Sequence, residues 1–168
     1  MAVMHEIAPQ RGSGPGGGAS IALGERKPFP GQDEGPPMPG VILVIDDDNH
    51  VRVMLARLLK TQGYEVLQAG SAVDARRMLE EKHPDLVISD IVMPGESGIE
   101  LRRMIAARWP ELPFILISGY SAEGPAEFAA RTPNTIFVQK PFAADQLLAL
   151  VEQTLPPPPP AAATTPLA

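Results

Sequence analysis

The 168-residue sequence contains no cysteine, so it has no disulfide framework, no thiolate metal site and no cysteine nucleophile. Its three histidines, His5, His50 and His83, show no metal-ligand spacing. No apolar run approaches the roughly 20 residues that span a bilayer. The N-terminal region also lacks the apolar stretch of about 7–15 residues found in a signal peptide. We therefore expect a cytoplasmic protein.

The sequence has no basic stripe either. Its formal net charge is −6, and residues 41–155 carry 16 Asp and Glu against 11 Lys and Arg. An acidic surface is repelled by the phosphates of nucleic acids and by anionic lipids. We therefore expect neither a nucleic acid nor a membrane as the direct partner.

Glycine and proline are concentrated in the two end segments. Residues 1–40 hold 9 of the 15 glycines and 7 of the 20 prolines, and residues 156–168 begin with five consecutive prolines. Neither segment can bury enough apolar surface to offset the entropy lost on ordering. We expect residues 1–40 and 156–168 to be disordered, and residues 41–155 to fold as one domain.

Within residues 41–155, short apolar runs alternate five times with helical patterns. Ser71 with Asp74, and Ser97 with Glu100, have the spacing of capping boxes that begin helices. This alternation predicts an α/β fold with a doubly wound, five-stranded parallel sheet and helices on both faces. The predicted strands are Val41–Ile45, Glu65–Ala69, Leu86–Ile88, Phe114–Ile117 and Thr135–Val138.

The fourth helix has the weakest pattern of the five. It is predicted over roughly residues 121–131, and Gly124-Pro125 interrupts it. Both residues are unfavourable inside a helix, so we expect this helix to be shortened or loosened.

Polar residues directly follow four of the five predicted strands. Asp46–Asp48 follow the first strand, Ser89-Asp90 follow the third, Ser118 follows the fourth and Gln139-Lys140 follow the fifth. Taken singly, each has an ordinary explanation as a helix cap, a turn or a solvated loop residue. Ligands of parallel sheets bind outside the carboxyl ends of the strands, where all of these residues meet. Their convergence favours one shared functional site.

The motifs around these residues resemble those of response-regulator receiver domains. The resemblance covers residues 41–155 and implies a flavodoxin-like sheet with the strand order 2-1-3-4-5. It also implies that the protein is a phosphoacceptor and not an enzyme. This phosphoacceptor would assist its own phosphorylation and dephosphorylation. The implied partners are a sensor histidine kinase or a histidine phosphotransfer protein, and a downstream protein target. The matching motifs are Ile45–Asp48, Ser89–Gly95 with Gly98, Ile117–Gly119 and Gln139–Phe142.

The resemblance implies a role for each residue at this edge. Asp90 would accept the phosphoryl group as a carboxylate nucleophile. Mg²⁺ would be bound directly by Asp47, Asp90 and the backbone carbonyl of Val92, and by Asp46 through water, since Mg²⁺ prefers oxygen ligands and keeps several waters. Lys140 would stabilise the phosphoryl oxygens with its positive charge.

The resemblance also implies a conformational switch. The hydroxyl of Ser118 would turn toward the phosphoryl group, and Phe137, three residues before Lys140, would fill the space vacated. The bond before Pro141 would be cis, which would aim Lys140. The fourth helix, the fifth strand and the last helix would then form the signalling surface, and phosphorylation could be linked to dimerisation.

Three rival functions remain open from the sequence. A haloacid-dehalogenase-type phosphatase would use Asp46 as its nucleophile, although the acidic pair expected after the lysine is absent. A flavodoxin-like mononucleotide binder would need a phosphate-binding loop where the sequence has three acids. An interaction module that has lost phosphorylation is the third rival. Because 13 residues follow Leu155, we expect a stand-alone regulator that acts through protein contacts.

Overall fold

The structure is a computed structural model that describes residues 40–119 and 123–155. The two end segments predicted to be disordered lie outside the described residues, apart from Gly40. The carbonyl of Gly40 accepts a hydrogen bond from the N–H of Glu65 at 3.1 Å. This hydrogen bond joins Gly40, one residue before the predicted domain, to the start of the second predicted strand.

Within residues 40–119 and 123–155, five strands form a single parallel sheet. They are β1 Val41–Ile45, β2 Glu65–Ala69, β3 Leu86–Asp90, β4 Phe114–Ser118 and β5 Thr135–Gln139. Their order is β2-β1-β3-β4-β5, which confirms the predicted fold class and strand order.

One helix follows each strand. The helices are α1 Asn49–Thr61, α2 Ala72–Lys82, α3 Gly98–Arg108, α4 Glu123–Arg131 and α5 Ala144–Thr154. Buried residues of α1 and α5 pack against one face of the sheet, and those of α2 and α3 pack against the other. None of the helices in the described ranges is long and apolar enough to cross a membrane.

The apolar runs in the sequence form strands because both faces of the sheet are covered. In β1, Ile42 and Val44 belong to the cluster under α1 and α5, whereas Leu43 and Ile45 belong to the cluster under α2 and α3. All five residues of β3 and of β4 are buried. A polar side chain at the end of such a strand is thus held firmly at the carboxyl edge.

Side-chain caps fix where three of the helices begin. Asp48 caps α1, Ser71 caps α2 and Ser97 caps α3. At α3 the capping box is complete, because Ser97 accepts from the N–H of Glu100 and the carboxylate of Glu100 accepts from the N–H of Ser97. This confirms the predicted start of α3.

The prediction that Gly124-Pro125 interrupts the fourth helix is wrong. The described helix α4 begins at Glu123 and runs without a break to Arg131, so both residues lie in its first turn. The first four N–H groups of a helix have no partner within the helix, so the missing N–H of Pro125 removes no hydrogen bond there. The predicted start at residue 121 lies outside the described residues.

Candidate functional site

The acidic loop after β1 places its three carboxylates in different surroundings. Asp46 is only 3% exposed, and its Oδ1 accepts a hydrogen bond from the N–H of Asp48 at 2.9 Å. Asp47 and Asp48 are exposed. The carboxylate of Asp48 accepts from the N–H groups of His50 and Val51, and these hydrogen bonds hold its pKa below the usual range. Asp48 therefore acts as a helix cap, while Asp46 is directed into the site.

Asp90 ends β3 and is also nearly buried, at 8% exposed. Its Oδ2 accepts a hydrogen bond from the N–H of Val92 at 2.7 Å, and the hydroxyl of Ser89 donates to its carbonyl oxygen at 2.8 Å. The side chain of Val92 itself is exposed. These contacts fix the carboxylate of Asp90 at the carboxyl edge of the sheet.

The loop after Asp90 is closed by the first residue of α3. The N–H of Gly98 donates to the carbonyl of Ile91 at 2.9 Å. A β-carbon at Gly98 would lie 2.2 Å from the carbonyl oxygen of Asp90, which is a severe clash. Only glycine lets α3 begin this close to the loop.

Lys140 joins the two buried carboxylates. Its Nζ lies 2.6 Å from Oδ1 of Asp90 and 3.4 Å from Oδ2 of Asp46. Its own N–H donates to the carbonyl of Ser118 at 2.7 Å, and its peptide bond to Pro141 is cis. Side chains from the ends of β1, β3 and β5 thus meet at one point.

The pKa values of these groups shift for separate reasons. Burial raises the pKa of Asp46, although the N–H of Asp48 and the charge of Lys140 oppose the rise. Burial lowers the pKa of Lys140, but its hydrogen bond to Asp90 and the charges of Asp90 and Asp46 outweigh this and raise it overall. Lys140 is therefore a fixed positive charge at neutral pH.

The two predicted switch residues lie on adjacent strands. Ser118 is the buried last residue of β4, at the same edge as Asp90. Phe137 lies within β5 opposite Leu116, is half-buried, and packs against the cluster under α2 and α3. Ser118 therefore lies at the candidate site. Phe137 lies on the neighbouring strand, three residues before Lys140 in the sequence.

The donor atoms at this edge suit a hard cation. In residues 40–119 and 123–155, no three His, Cys, Asp or Glu side chains are grouped closely enough to hold a metal ion by themselves. However, the carboxylates of Asp46 and Asp90 both face one positive charge, and Asp47 is adjacent in the chain. Mg²⁺ binds through one or two carboxylates and keeps several waters, so this oxygen donor set fits it without a complete protein cage.

Arg52 contacts the acidic loop after β1, and the sequence did not predict this contact. Its Nη1 donates to the carbonyl of Asp46 at 2.6 Å, and its Nη2 donates to Oδ1 of Asn49 at 2.8 Å. A β-carbon at Gly70 would lie 3.4 Å from the same Nη1. Arg52 therefore braces the acidic loop from α1. The signal available in the sequence is a basic residue near the start of a helix, where the helix dipole disfavours positive charge.

Comparison with known proteins agrees with this geometry. The family model described as "Response regulator receiver domain" matches residues 42–152. The chain is 34% identical over 116 residues to the sensor kinase CckA of Brucella abortus, covering 68% of this chain and 12% of that protein. It is 34% identical over 116 residues to the DNA-binding transcriptional regulator NtrC of Escherichia coli, covering 69% of this chain and 25% of that protein. The chain thus spans a quarter or less of the length of these curated relatives.

Solved structures give the same result at the level of the fold. A receiver domain protein from Clostridium thermocellum matches with a TM-score of 0.65 and 30% identity, covering 68% of this chain and 93% of that one. The receiver domain of NtrX from Brucella abortus matches with a TM-score of 0.61 and 35% identity, covering 68% of this chain and 97% of that one. The similarity therefore extends over nearly the whole of each solved domain.

Proposed function

Because this chain belongs to the response regulator receiver domain family of two-component systems, we propose that it accepts a phosphoryl group on Asp90 from a histidine kinase or a histidine phosphotransfer protein. The observation that supports this most directly is the contact of Lys140 with Asp90 at 2.6 Å and with Asp46 at 3.4 Å. It joins three strands of the sheet at one carboxylate that is nearly buried but still accessible.

In the proposed reaction, a carboxylate oxygen of Asp90 forms a bond to phosphorus while the bond between phosphorus and the donor atom breaks. The donor atom is a histidine nitrogen of the kinase, and it leaves with the electron pair of that bond. Both oxygens of Asp90 accept hydrogen bonds, from Lys140 and from the N–H of Val92. The attacking oxygen must give up one of these contacts, and Lys140 then stabilises the charge on the transferred group.

We propose Mg²⁺ as the cofactor. Asp47, Asp90 and the backbone carbonyl of Val92 would hold it directly, and Asp46 would hold it through a water molecule. When bound, Mg²⁺ supplies the positive charge that allows a phosphoryl group to approach several carboxylates. The burial of the carboxylates of Asp46 and Asp90 beside one another supports this assignment, because neighbouring carboxylates repel each other and a bound cation relieves that repulsion.

The proposed output is a conformational switch toward a protein target. Ser118 would turn to the phosphoryl group and Phe137 would repack, changing the surface formed by α4, β5 and α5. We propose that the chain acts in the cytoplasm and that residues 41–155 contact protein rather than nucleic acid or membrane, since their acids exceed their bases by 16 to 11. Dimerisation linked to phosphorylation is a further part of this proposal.

The test is phosphorylation of the purified full-length chain. The protein is incubated with Mg²⁺ and acetyl phosphate, and intact masses are measured for the wild type, Asp90→Asn and Asp46→Asn. We expect one phosphoryl adduct on the wild type, none on Asp90→Asn and a reduced amount on Asp46→Asn. Parallel samples containing a chelator in place of Mg²⁺ should show no adduct.

The same samples test the rival functions. Mg²⁺-dependent phosphatase turnover that requires Asp46, without a stable adduct, would replace the receiver proposal with a hydrolase that uses Asp46 as its nucleophile. An adduct that persists in Asp90→Asn would show that another residue is the acceptor. Absence of both adduct and turnover with acetyl phosphate, and also with a panel of phosphorylated histidine kinases, would favour an interaction module.

A further inference from the structure

Arg102 is a charged residue in a position that the helix pattern reserves for apolar side chains. The buried residues of α3 are Gly98, Leu101, Arg102 and Ile105, which recur at the spacing of a core-facing stripe. Arg102 is 0% exposed and is among the largest fully buried side chains of the described chain. The face of α3 that covers the sheet therefore carries a guanidinium group.

The guanidinium of Arg102 forms a closed set of hydrogen bonds with the chain just before and at the start of β5. Its Nε donates to Oγ1 of Thr135 at 2.8 Å, and its Nη2 donates to the carbonyl of Pro133 at 2.6 Å. The hydroxyl of Thr135 in turn donates to the same carbonyl at 3.1 Å. The guanidinium also lies over the ring of Phe114, 5.5 Å from its centroid. One side chain of α3 thus holds both ends of the Pro133–Thr135 segment.

Burying the guanidinium of Arg102 costs free energy, so the group is a poor source of stability. Among the described residues, Arg102 donates to a hydroxyl and a carbonyl rather than to a carboxylate, and its Nη1 is buried without a hydrogen-bond partner. Burial also lowers the pKa of Arg102. A buried charge can often be replaced by an apolar side chain of similar volume with little or no loss of stability. The geometry of its two hydrogen bonds, rather than their net energy, distinguishes Arg102 from an apolar residue here.

The segment held by Arg102 belongs to the proposed signalling surface. β5 is the edge strand of the sheet, so β4 is its one hydrogen-bonded neighbour in the described sheet. β5 carries Phe137 and leads directly to Lys140. Arg102 itself belongs to α3, and the first residue of α3, Gly98, closes the loop after Asp90. Arg102 therefore links the helix that begins at the acceptor loop to the start of the strand proposed to switch.

We propose that Arg102 is a positioning residue that holds the α4–β5 connection and the start of β5 against α3 until Asp90 is phosphorylated. This inference rests on the proposed function for its phosphorylation-dependent part. The restraint itself is a property of the unphosphorylated chain and is measured without phosphorylation.

The first arm measures amide hydrogen exchange in the unphosphorylated full-length chain. Arg102→Met keeps an unbranched side chain of similar length and removes both donors. We expect its denaturation midpoint to equal or exceed that of the wild type, while peptides covering residues 132–139 exchange roughly tenfold faster because two charge-assisted hydrogen bonds are lost. Arg108→Met is the matched control, since Arg108 lies on the same helix and pairs with Glu80 of α2. It should leave residues 132–139 unchanged.

A second pair of variants removes the acceptor instead of the donor. Thr135→Val deletes the hydroxyl with little change in shape and should accelerate exchange in the same peptides. Thr135→Ser retains the hydroxyl and should exchange like the wild type. If Arg102→Met does not fold, this pair alone decides, because a structural role for the side-chain volume at residue 135 would not be rescued by serine.

The second arm repeats the exchange after incubation with Mg²⁺ and acetyl phosphate, with the adduct verified by intact mass. In the wild type we expect phosphorylation to accelerate exchange over residues 132–139. In Arg102→Met, which still forms the adduct, this difference should fall to less than half, because the restraint is already absent. Equal exchange in wild type and Arg102→Met before phosphorylation, or uniform acceleration of every peptide, would overturn the inference while the adduct upholds the proposed function. A wild type that forms no adduct with acetyl phosphate or with the panel of phosphorylated histidine kinases contradicts the proposed function, and the first arm still judges the restraint.

Discussion

Lys140 has two carboxylate neighbours, and the shorter of its two contacts is to Asp90. We expect Lys140→Ala to accept a phosphoryl group from acetyl phosphate roughly 10²-fold more slowly, because a preorganised positive charge is lost where charge develops. Lys140→Arg keeps the charge with a different shape and should lose less. The rate of adduct formation by intact mass measures both variants. A Lys140→Ala rate within about threefold of the wild type would remove Lys140 from the proposed mechanism.

Gly98 tests how closely α3 must approach the acceptor loop. We expect Gly98→Ala to lower the free energy of unfolding by roughly 1–3 kcal/mol, because its β-carbon would meet the carbonyl of Asp90 at 2.2 Å and the helix would have to shift. Gly124→Ala in α4 is the control, since nothing lies within 4 Å of the place that its β-carbon would take and alanine favours a helix. Chemical denaturation compares the two. Equal stability of Gly98→Ala and the wild type would show that the loop can yield.

Single residues also show how far sequence reasoning reaches into the site. Asp46, Asp90 and Lys140 could be located because they interrupt or follow apolar runs, and parallel strands bring their carboxyl ends together. Arg52 and Arg102 could not be assigned contacts in the same way. Their long side chains reach partners six residues away in Asp46 and 33 residues away in Thr135, so their partners depend on how helices pack.

At the level of elements, the capping box of α3 predicts a dependence of stability on pH. The hydrogen bonds from the N–H and hydroxyl of Ser97 hold the pKa of Glu100 below its usual value. A lowered pKa in the folded state adds stability above the unfolded pKa of about 4.3, and this stability disappears as the pH falls through the folded value. We expect Glu100→Ala to melt below the wild type at pH 7, with the difference narrowing below about pH 4.

Ser97→Ala provides the control for this pH dependence. It removes the hydroxyl that lowers the pKa of Glu100, so Ser97→Ala and Glu100→Ala should not be additive in the double variant. Melting temperatures of the four proteins between about pH 3 and pH 7 give the comparison. A constant difference between wild type and Glu100→Ala across this range would mean that the cap does not depend on the charge of Glu100.

The element boundaries were predictable wherever the local pattern and the tertiary environment agree. The five strands begin at the predicted residues because α1 and α5 cover one face of the sheet and α2 and α3 cover the other. β3 extends two residues beyond its predicted end, and β4 and β5 extend one residue each. The end of α2 at Lys82, just before Pro84, was predictable too, but the left-handed conformation of its cap residue His83, with φ of 47°, was not. Glycine or asparagine would have signalled that conformation, and histidine does not. The position of Gly124-Pro125 relative to the start of α4 was likewise not predictable, because no capping pattern in the sequence marks that start.

At the level of the whole molecule, two core clusters of the described residues pack against opposite faces of one sheet. Because neighbouring residues of β1 belong to opposite clusters, the sheet cannot shift against one layer of helices without disturbing the other. The site lies at the carboxyl ends of the strands, and helices cover both faces of the sheet beside it. Its side chains are therefore fixed by packing from either face. A change in charge at Asp90 is therefore expected to act through edge elements such as α4 and β5 and to leave the centre of the sheet intact.

The predicted domain boundaries can be tested by truncation. Both core clusters lie within residues 42–155, and Gly40 supplies one hydrogen bond to Glu65. We expect a chain of residues 40–155 to unfold at the same denaturant midpoint as the full chain and to form the same adduct with acetyl phosphate. A chain of residues 40–150 is the control. It lacks Val151 and Leu155, which are both fully or almost fully buried, and should lose roughly 3–5 kcal/mol or fail to fold. If the chain of residues 40–155 were itself markedly less stable, the end segments would contribute to the folded domain.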